Sequence, residues 1–186
     1  VVPADGVVTS VVGDIPEAQR RASEGTAEAR FIDDEGRWQA AKVLFVSPPT
    51  GVPAHVYAWR RRSEQVGQLD VPGGTRNGLD DSLAQTALRE CSEELILTTA
   101  MRDRLRRILG ERGPPISVEC TLPGASRRWL VAVWAVPCST KELANMVRTT
   151  EGRREGSDPG TYELAQLFDD VPYSAAAVDA VGALTR

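Results

Sequence analysis

The chain has 186 residues, of which 41% are hydrophobic and 26% are charged, so it is long and apolar enough to form one folded domain. Its net charge of -4 excludes a generally basic nucleic-acid-binding protein, although a local basic patch remains compatible with it. No apolar run approaches the roughly 20 residues that span a bilayer, so no membrane partner is expected. With 3 cysteines, no CxxC pair and 1 histidine, neither a zinc site nor a disulfide framework is expected.

The cysteine content favours a reducing, intracellular compartment, either the cytoplasm or the mitochondrial matrix, because any disulfide pairing of three cysteines leaves one thiol over. The chain begins at Val1 rather than at methionine. This indicates a processed or trimmed start, and a targeting segment that had been removed would leave no trace in the sequence.

Hydrophobic patterning predicts strands interleaved with helices, which is typical of a single α/β or α+β domain. The expected elements, in chain order, are a strand at 7–12, a helix at 16–24, strands at 41–46 and 55–60, an extended piece at 68–74, helices at 81–97 and 101–112, strands at 116–122 and 129–136, a helical turn at 142–147, a polar loop at 151–160, a strand at 161–168 and a helix at 173–184. Residues 1–40 are expected to form an N-terminal extension that packs on a domain of residues 41–186.

The segment from Gly73 to Leu97 concentrates acidic residues on one face of a predicted helix. At about 100° per residue, Glu90, Glu93 and Glu94 share a face roughly 100° wide, beside an apolar stripe. Carboxylates crowded in this way repel each other, and a hard divalent cation such as Mg²⁺ is their natural partner. A glutamate pair by itself is ordinary solvated surface. Here a Pro-Gly-Gly turn upstream, an acidic helix start and Arg89 immediately before the glutamates make the pattern specific.

This segment resembles the Nudix box, whose pattern is G, five residues, E, seven residues and then REUxEExGU, where U is aliphatic. The stretch RECSEE at residues 89–94 matches REUxEE. Asp81 takes the first acidic position, as aspartate rather than glutamate, because seven residues separate it from the arginine. The loop after Gly74 is then one residue longer than in the pattern, and Ile96 replaces the last glycine. The charged core of the motif is intact.

The resemblance implies a Nudix-type α/β/α sandwich with a mixed central sheet, and hydrolysis of a nucleoside diphosphate linked to another group, X. It implies Mg²⁺ or Mn²⁺ as cofactor. The implied metal ligands are Glu90, Glu93, Glu94 and the backbone carbonyl of Gly74. Arg89 would orient the glutamates. Clustered metals neutralise phosphate oxygens and lower the pKa of a bound water, so the motif fits attack of water on a pyrophosphate.

A carboxylate must also take a proton from the attacking water. The family uses either a box glutamate or an acid from a later loop. We predict Glu163, in TYELAQLF, because family members often carry an acid just before the last strand; an edge-strand glutamate without a catalytic role is the competing interpretation. The other later candidates are Glu119, Glu151 and Glu155.

The basic residues are mostly arginines, whose permanently charged, forked guanidinium suits phosphate. The predicted ligand-binding arginines are Arg60, Arg62 and Arg76. A further group at 102–107 covers one side of the second long helix, and a solvated helix face is the competing interpretation. The aromatic residues that would stack on a base are Tyr57, Trp59, Trp129 and Trp134. Each of them lies in a strand pattern, which favours core packing instead.

Three function classes remain open. The arginines favour a metal-dependent pyrophosphohydrolase that acts on RNA 5′-triphosphate or 5′-diphosphate ends. The second class is a hydrolase of small nucleotides such as nucleoside diphosphates or triphosphates. The third is a non-catalytic module that binds nucleotide or RNA beside protein partners in an RNA-processing complex, and the intact glutamates argue against it.

Overall fold

A computed structural model describes residues 32–47, 54–62, 66–111, 116–121 and 127–184. The strands are β1 (Trp38–Val46), β2 (His55–Arg61), β3 (Leu69–Asp70), β4 (Gly73–Thr75), β5 (Leu95–Ile96), β6 (Ile116–Thr121), β7 (Arg128–Pro137), β8 (Val147–Arg148) and β9 (Gly156–Glu163). The helices are α1 (Leu83–Glu94), α2 (Thr99–Glu111), α3 (Thr140–Ala144), α4 (Thr150–Glu155), α5 (Leu164–Asp170) and α6 (Ser174–Gly182). The elements expected at 7–12 and 16–24 lie outside the described residues.

A mixed sheet organises these elements. Its main strand order is β3-β2-β1-β7-β6, with β4 paired to β1 and β9 paired to β2. The central pair, β1 and β7, is parallel, whereas β2 and β6 flank it in antiparallel pairs. Strands β5 and β8 form a separate two-stranded sheet. The predicted α/β class with a mixed central sheet is confirmed.

Helices cover both faces of the sheet. Alternate residues of a strand point to opposite faces, so Leu44 on β1 packs in the core under α5 and α6 with Leu167. Its neighbours Val43 and Phe45 pack in the second core, under α1 and α2, with Leu105. The result is the expected sandwich. No helix in the described part of the chain is long and apolar enough to cross a membrane.

Helix α1 is shorter than the predicted 81–97. It begins after Ser82, whose side chain accepts a hydrogen bond from the backbone N–H of Gln85 and so caps the helix. It ends where Leu95 adopts an extended conformation, with φ -125° and ψ 142°, and starts β5. A helix that leaves through extended backbone needs no left-handed glycine, which explains why Ile96 can replace the last glycine of the box.

The polar loop predicted at 151–160 is instead helix α4 followed by strand β9, and the strand predicted at 161–168 is the end of β9 followed by α5. The composition does not indicate either element, because capping and strand pairing hold them rather than a hydrophobic pattern. The Thr149 side chain caps α4 by accepting from Gly152 N–H. Strand β9 pairs with β2 across a register shift, and Asp158 there has a φ of 49°. Pro159 is tolerated in β9 because it lies at this irregularity, where a proline without a backbone N–H does not break regular strand pairing.

A buried ion cluster ties β3 to β1, β2 and the start of α6. The Asp70 carboxylate accepts hydrogen bonds from Lys42 Nζ at 2.8 Å and from the Tyr173 hydroxyl at 3.2 Å, and it lies 3.3 Å from Arg61 Nε. Burial acts to raise the pKa of Asp70, but the charges of Lys42 and Arg61 outweigh it and hold that pKa below its ordinary value.

Replacing Asp70 with asparagine is expected to lower the free energy of unfolding by about 3 kcal/mol, because Lys42 is left nearly buried without its countercharge. Since the pKa of Asp70 is lowered by folding, the cluster stabilises the protein above the ordinary aspartate pKa of about 4 and loses this effect as the pH falls through the folded-state pKa. Urea unfolding of both proteins at neutral and acid pH measures this. Equal stability at neutral pH would show that the cluster contributes nothing.

Candidate active site

The acidic face of α1 lies against the Gly73–Gly74 turn, which strand β4 holds beside β1. Gly73 has a φ of +138°, and a Cβ there would collide with the carbonyl oxygen of Ala41. A Cβ on Gly74 would collide with the carboxylate of Glu90. Two glycines are therefore needed so that the backbone can approach both β1 and the glutamates.

Glu94 is the most buried of the three box glutamates, at 2% exposed. Its Oε2 accepts a hydrogen bond from the backbone N–H of Gly73 at 2.9 Å, while its Oε1 has no hydrogen-bond partner among the described residues. Burial, and then the nearby Glu155 carboxylate, raise the pKa of Glu94 well above its ordinary value despite the charge of Lys42. A buried carboxylate oxygen without a donor is a position that a cation would complete.

Arg89 joins the acidic residues of the site. Its Nε and Nη2 donate to the two carboxylate oxygens of Asp80 at 3.1 and 2.9 Å. Its Nη1 lies 2.8 Å from Glu90 Oε1 and 3.0 Å from Glu93 Oε2. Burial acts to lower the pKa of Arg89, but hydrogen bonding to Asp80 and the surrounding negative charge raise it. The contact from Arg89 to Glu93 that the helical spacing predicts is present.

The spacing to the arginine predicted Asp81 at the first acidic position of the motif, but the acid that Arg89 contacts before the helix is Asp80. Asp80 is buried and also accepts a hydrogen bond from the Thr86 hydroxyl at 2.9 Å. Asp81 is exposed, and its backbone N–H donates to the Gln85 side chain at 2.7 Å. Five residues separate Gly74 from Asp80, as in the Nudix box, so the extra residue follows the acid and is absorbed in the turn before α1.

Replacing Asp80 with asparagine is expected to lower the free energy of unfolding by about 2 kcal/mol, because both charged hydrogen bonds to Arg89 weaken. Replacing Asp81 with asparagine, one residue along, should change it by less than about 0.5 kcal/mol, since this side chain is exposed. Denaturant unfolding of the two matched variants measures both values. A larger loss at position 81 would restore the assignment made from the sequence.

The carboxylates are not arranged around a common ion position. Within the described ranges, no group of three or more acidic, histidine or cysteine side chains is arranged to hold an ion. Glu90 and Glu93 both contact the same nitrogen of Arg89, while Glu94 faces Gly73. The donor set nevertheless fits a hard divalent cation, because every candidate ligand is an oxygen and Glu94 Oε1 has no other partner among the residues that the structure describes. Burial raises the pKa of Glu90 although Arg89 opposes it, and a cation would relieve that cost.

Of the later acidic residues, Glu155 is the one that the fold brings to this cluster. It ends α4, and its carboxylate contributes to the raised pKa of Glu94. Two contacts hold α4 on the end of α1: the Thr149 N–H donates to the Glu94 carbonyl at 2.9 Å, and the Thr149 hydroxyl donates to the Glu93 carbonyl. A side chain at Gly152 would collide with the backbone of Glu94.

Glu163, the predicted general base, lies at the other end of β9. It pairs with His55, whereas Gly156 at the start of β9 pairs with Arg61. The six residue steps from position 55 to 61 span roughly 20 Å of extended strand, so the geometry does not support a role for Glu163 at the glutamates. Its backbone N–H donates to the Gln166 side chain at 3.2 Å, where α5 begins. The sequence TYELAQLF ends a strand and does not start one.

Most of the arginines predicted to bind phosphate are engaged in the fold. Arg60 donates to the Gly67 carbonyl at 2.7 Å, and Arg76 donates to the Gln39 side chain at 2.8 Å. On α2, Arg104 contacts the Glu142 carboxylate through both terminal nitrogens, whereas the exposed arginines of this helix are Arg102, Arg106 and Arg107. The four strand aromatics are at most 9% exposed, so the core-packing interpretation of these residues is confirmed.

Arg62 lies instead at a pocket of about 660 Å³ that opens beside α4. Its other basic lining residues are Arg148 and Arg153, which the sequence analysis did not single out. In the sequence, only the polar, Gly-rich composition of residues 151–160, which predicted a loop, points to this region.

No protein-family model matches the sequence, and no curated protein matches it. Solved structures do. A C. elegans Ap4A hydrolase, solved as a binary complex, is 12% identical with a TM-score of 0.52, over 80% of this chain and 98% of that chain. The NUDIX domain of Shewanella oneidensis NrtR, solved with ADP ribose, is 15% identical with a TM-score of 0.52, over 83% of this chain and 92% of that chain. The chain therefore has the Nudix fold, as the box predicted.

Proposed function

We propose that the chain is a metal-dependent pyrophosphohydrolase that cleaves a nucleoside diphosphate linked to another group. The observation that supports this most strongly is the contact of the RECSEE helix with the Gly73–Gly74 turn. There, one oxygen of the buried Glu94 has no donor within the described part of the chain. The residues that would hold Mg²⁺ or Mn²⁺ are Glu90, Glu93, Glu94 and the carbonyl of Gly74. Such a cation, when bound, supplies charge neutralisation for the phosphate and a more acidic water.

The protein's own residues then divide the remaining work. Arg89 fixes Glu90 and Glu93 in position, and Asp80 fixes Arg89 by its two-oxygen contact. Glu155 takes the proton of the attacking water, because its carboxylate lies beside Glu94 on an exposed helix end that water reaches. This assignment replaces Glu163.

The proposed substrate is an RNA 5′-triphosphate or 5′-diphosphate end. The exposed arginines of α2 and the arginine-lined pocket support it, since RNA carries phosphates beyond the cleaved bond. The arginine-rich surface, the extra residue between Gly74 and Arg89 and Ile96 in place of the last box glycine also resemble features of the trypanosomatid mitochondrial edited-mRNA stability factor. That protein is associated with removal of RNA 5′ pyrophosphate. The expected partners are then RNA and the proteins of an RNA-processing complex, in the mitochondrial matrix or the cytoplasm.

A small-nucleotide substrate is the second candidate. The engagement of Arg60, Arg76 and Arg104 in the fold favours it, because these side chains already have partners within the protein. The Ap4A in the name of the C. elegans hydrolase and the ADP ribose bound to the NrtR domain are molecules of this small class.

A substrate panel separates these possibilities. Triphosphorylated RNA, GTP, ADP-ribose and diadenosine polyphosphates are each incubated with the full chain in Mg²⁺ and, in parallel, in EDTA. The expected result is hydrolysis in Mg²⁺ that EDTA abolishes, with the highest kcat/KM for the RNA. A higher kcat/KM for a small nucleotide would select the second candidate. Absence of hydrolysis throughout would contradict the enzyme and favour a binding module.

A further inference from the structure

Three arginines meet at the pocket beside α4, which we call the arginine pocket: Arg62, Arg148 and Arg153. Arg148 is 2% exposed. Its Nη1 donates to the Gly156 carbonyl at 3.1 Å, and its guanidinium carbon lies 3.9 Å from the centre of the Trp59 ring. Its Nε and Nη2 have no hydrogen-bond partner within the part of the chain that the structure describes. Buried donors without partners are costly, so an acceptor that reached them would be strongly favoured.

The other two arginines stand at the exposed rim of the same pocket. Arg153 Nε donates to the Arg148 carbonyl at 3.3 Å, and the backbone N–H of Arg62 donates to the Glu155 carbonyl at 3.2 Å. Among the described residues that line this pocket, Asp158 is the acidic one. The lining is therefore net positive, and forked guanidiniums of this kind recognise phosphate oxygens.

Part of the remaining wall of the pocket is apolar. Tyr57, Leu143 and Met146 line it, and its volume falls in the range of roughly 300–1,000 Å³ that is usual for small-molecule sites. An apolar wall beside a cluster of guanidiniums suits a nucleoside that carries a phosphate, since the base and sugar contact the wall while the phosphate meets the arginines.

The arginine pocket adjoins the carboxylate turn at Glu94. Burial lowers the pKa of Arg148, and the nearby Glu94 and Glu155 carboxylates oppose that shift. The Glu94 side chain faces Gly73, whereas the Glu94 backbone carbonyl accepts from Thr149, the residue that follows Arg148. A substrate whose pyrophosphate is held at the carboxylates can therefore extend its nucleoside and the next phosphate into the adjoining arginine pocket.

We propose that the arginine pocket receives the first nucleoside of the substrate together with a phosphate on its 3′ side. The chain then prefers a 5′-triphosphate that carries a 3′-phosphate over one that ends in a free 3′-hydroxyl. This inference rests on the proposed function and sharpens its substrate class, because the first nucleotide of an RNA chain has such a phosphate and a free nucleotide does not.

The test compares adenosine 5′-triphosphate 3′-phosphate with ATP, which differ by that one phosphate. The ratio of their kcat/KM values is expected to exceed about 10 in the wild-type chain and to fall at least fivefold in Arg153→Gln. The matched control is Arg154→Gln, since Arg154 is the next residue of α4, is exposed and is not among the lining residues; it should keep the wild-type ratio. A wild-type ratio near 1, or an equal fall in both variants, would overturn the inference.

Binding without turnover separates this inference from the proposed function. Calorimetry should show that adenosine 3′,5′-bisphosphate binds at least 10-fold more tightly than AMP, and that Arg153→Gln reduces this preference. If that holds while no pyrophosphate is cleaved, the proposed function fails and the pocket assignment stands. If the two triphosphates are cleaved equally well, and adenosine 3′,5′-bisphosphate binds no more tightly than AMP, the pocket assignment fails and the proposed function stands.

Discussion

Replacing Glu93 and Glu94 together with glutamine should leave the protein folded and lower its turnover at least 100-fold, roughly 2.7 kcal/mol of activation free energy. Glutamine keeps the size of each side chain and removes the negative charge that would hold a cation. The side-chain oxygen at position 94 can still accept the hydrogen bond from Gly73 N–H. The fold should survive because an uncharged group at this buried position avoids the cost of burying a carboxylate.

Steady-state hydrolysis of the best substrate from the panel measures the loss, and thermal unfolding of the same preparations checks the fold. Glu151→Gln is the control for a surface charge change, since Glu151 is exposed in the first turn of α4. Turnover that stays at the wild-type level in the folded double variant would remove Glu93 and Glu94 from the site.

The second large effect is expected at position 155. Glu155→Gln should lower turnover about 100-fold, in the range usual for loss of a positioned general base, because glutamine cannot take the proton of the attacking water. Glu163→Gln should stay within twofold of wild type, since Glu163 lies at the far end of β9. Rates are compared in saturating Mg²⁺, so that a change in cation affinity does not enter. A large loss of turnover in Glu163→Gln, with turnover near wild type in Glu155→Gln, would support Glu163 as the general base instead.

The elements closest to the site were predictable because local rules determine them. Helical periodicity places Glu90, Glu93 and Glu94 on one face, and it places Arg89 one turn from Glu93 whatever the rest of the fold does. The apolar runs of β1, β2 and β7 are recognisable as strands because helices cover both of their faces.

The features that the sequence did not reveal depend on distant contacts. The spacing from Gly74 fits Asp80 and the spacing to Arg89 fits Asp81. The contacts of Arg89 decide for Asp80, and only the three-dimensional structure shows them. Glu155 reaches the glutamates because Thr149 binds the end of α1, more than 50 residues earlier. The segment that carries Glu155 is polar and rich in glycine, so neither α4 nor β9 has the hydrophobic periodicity from which a helix or strand is predicted.

The arginines illustrate the same limit. Their clustering in the sequence suggested shared phosphate sites, yet Arg104 is paired with Glu142, 38 positions away, while Arg102 and Arg107 on the same helix are exposed. The arginines that line the pocket come from the residue after β2, from β8 and from α4. Sheet pairing and helix packing bring them together, and no spacing along the chain encodes this.

Cation binding by the α1 glutamates, as the step that enables hydrolysis, is tested most directly by titrating Mn²⁺ and recording bound Mn²⁺ by electron paramagnetic resonance and turnover in the same samples. In the wild-type chain, turnover should rise in proportion to bound Mn²⁺. In the Glu93→Gln, Glu94→Gln variant, both Mn²⁺ binding and turnover should be lost over the same range of Mn²⁺ concentration. Wild-type turnover that does not depend on bound Mn²⁺, or a double variant that binds Mn²⁺ as tightly as wild type, would contradict a catalytic cation site on α1.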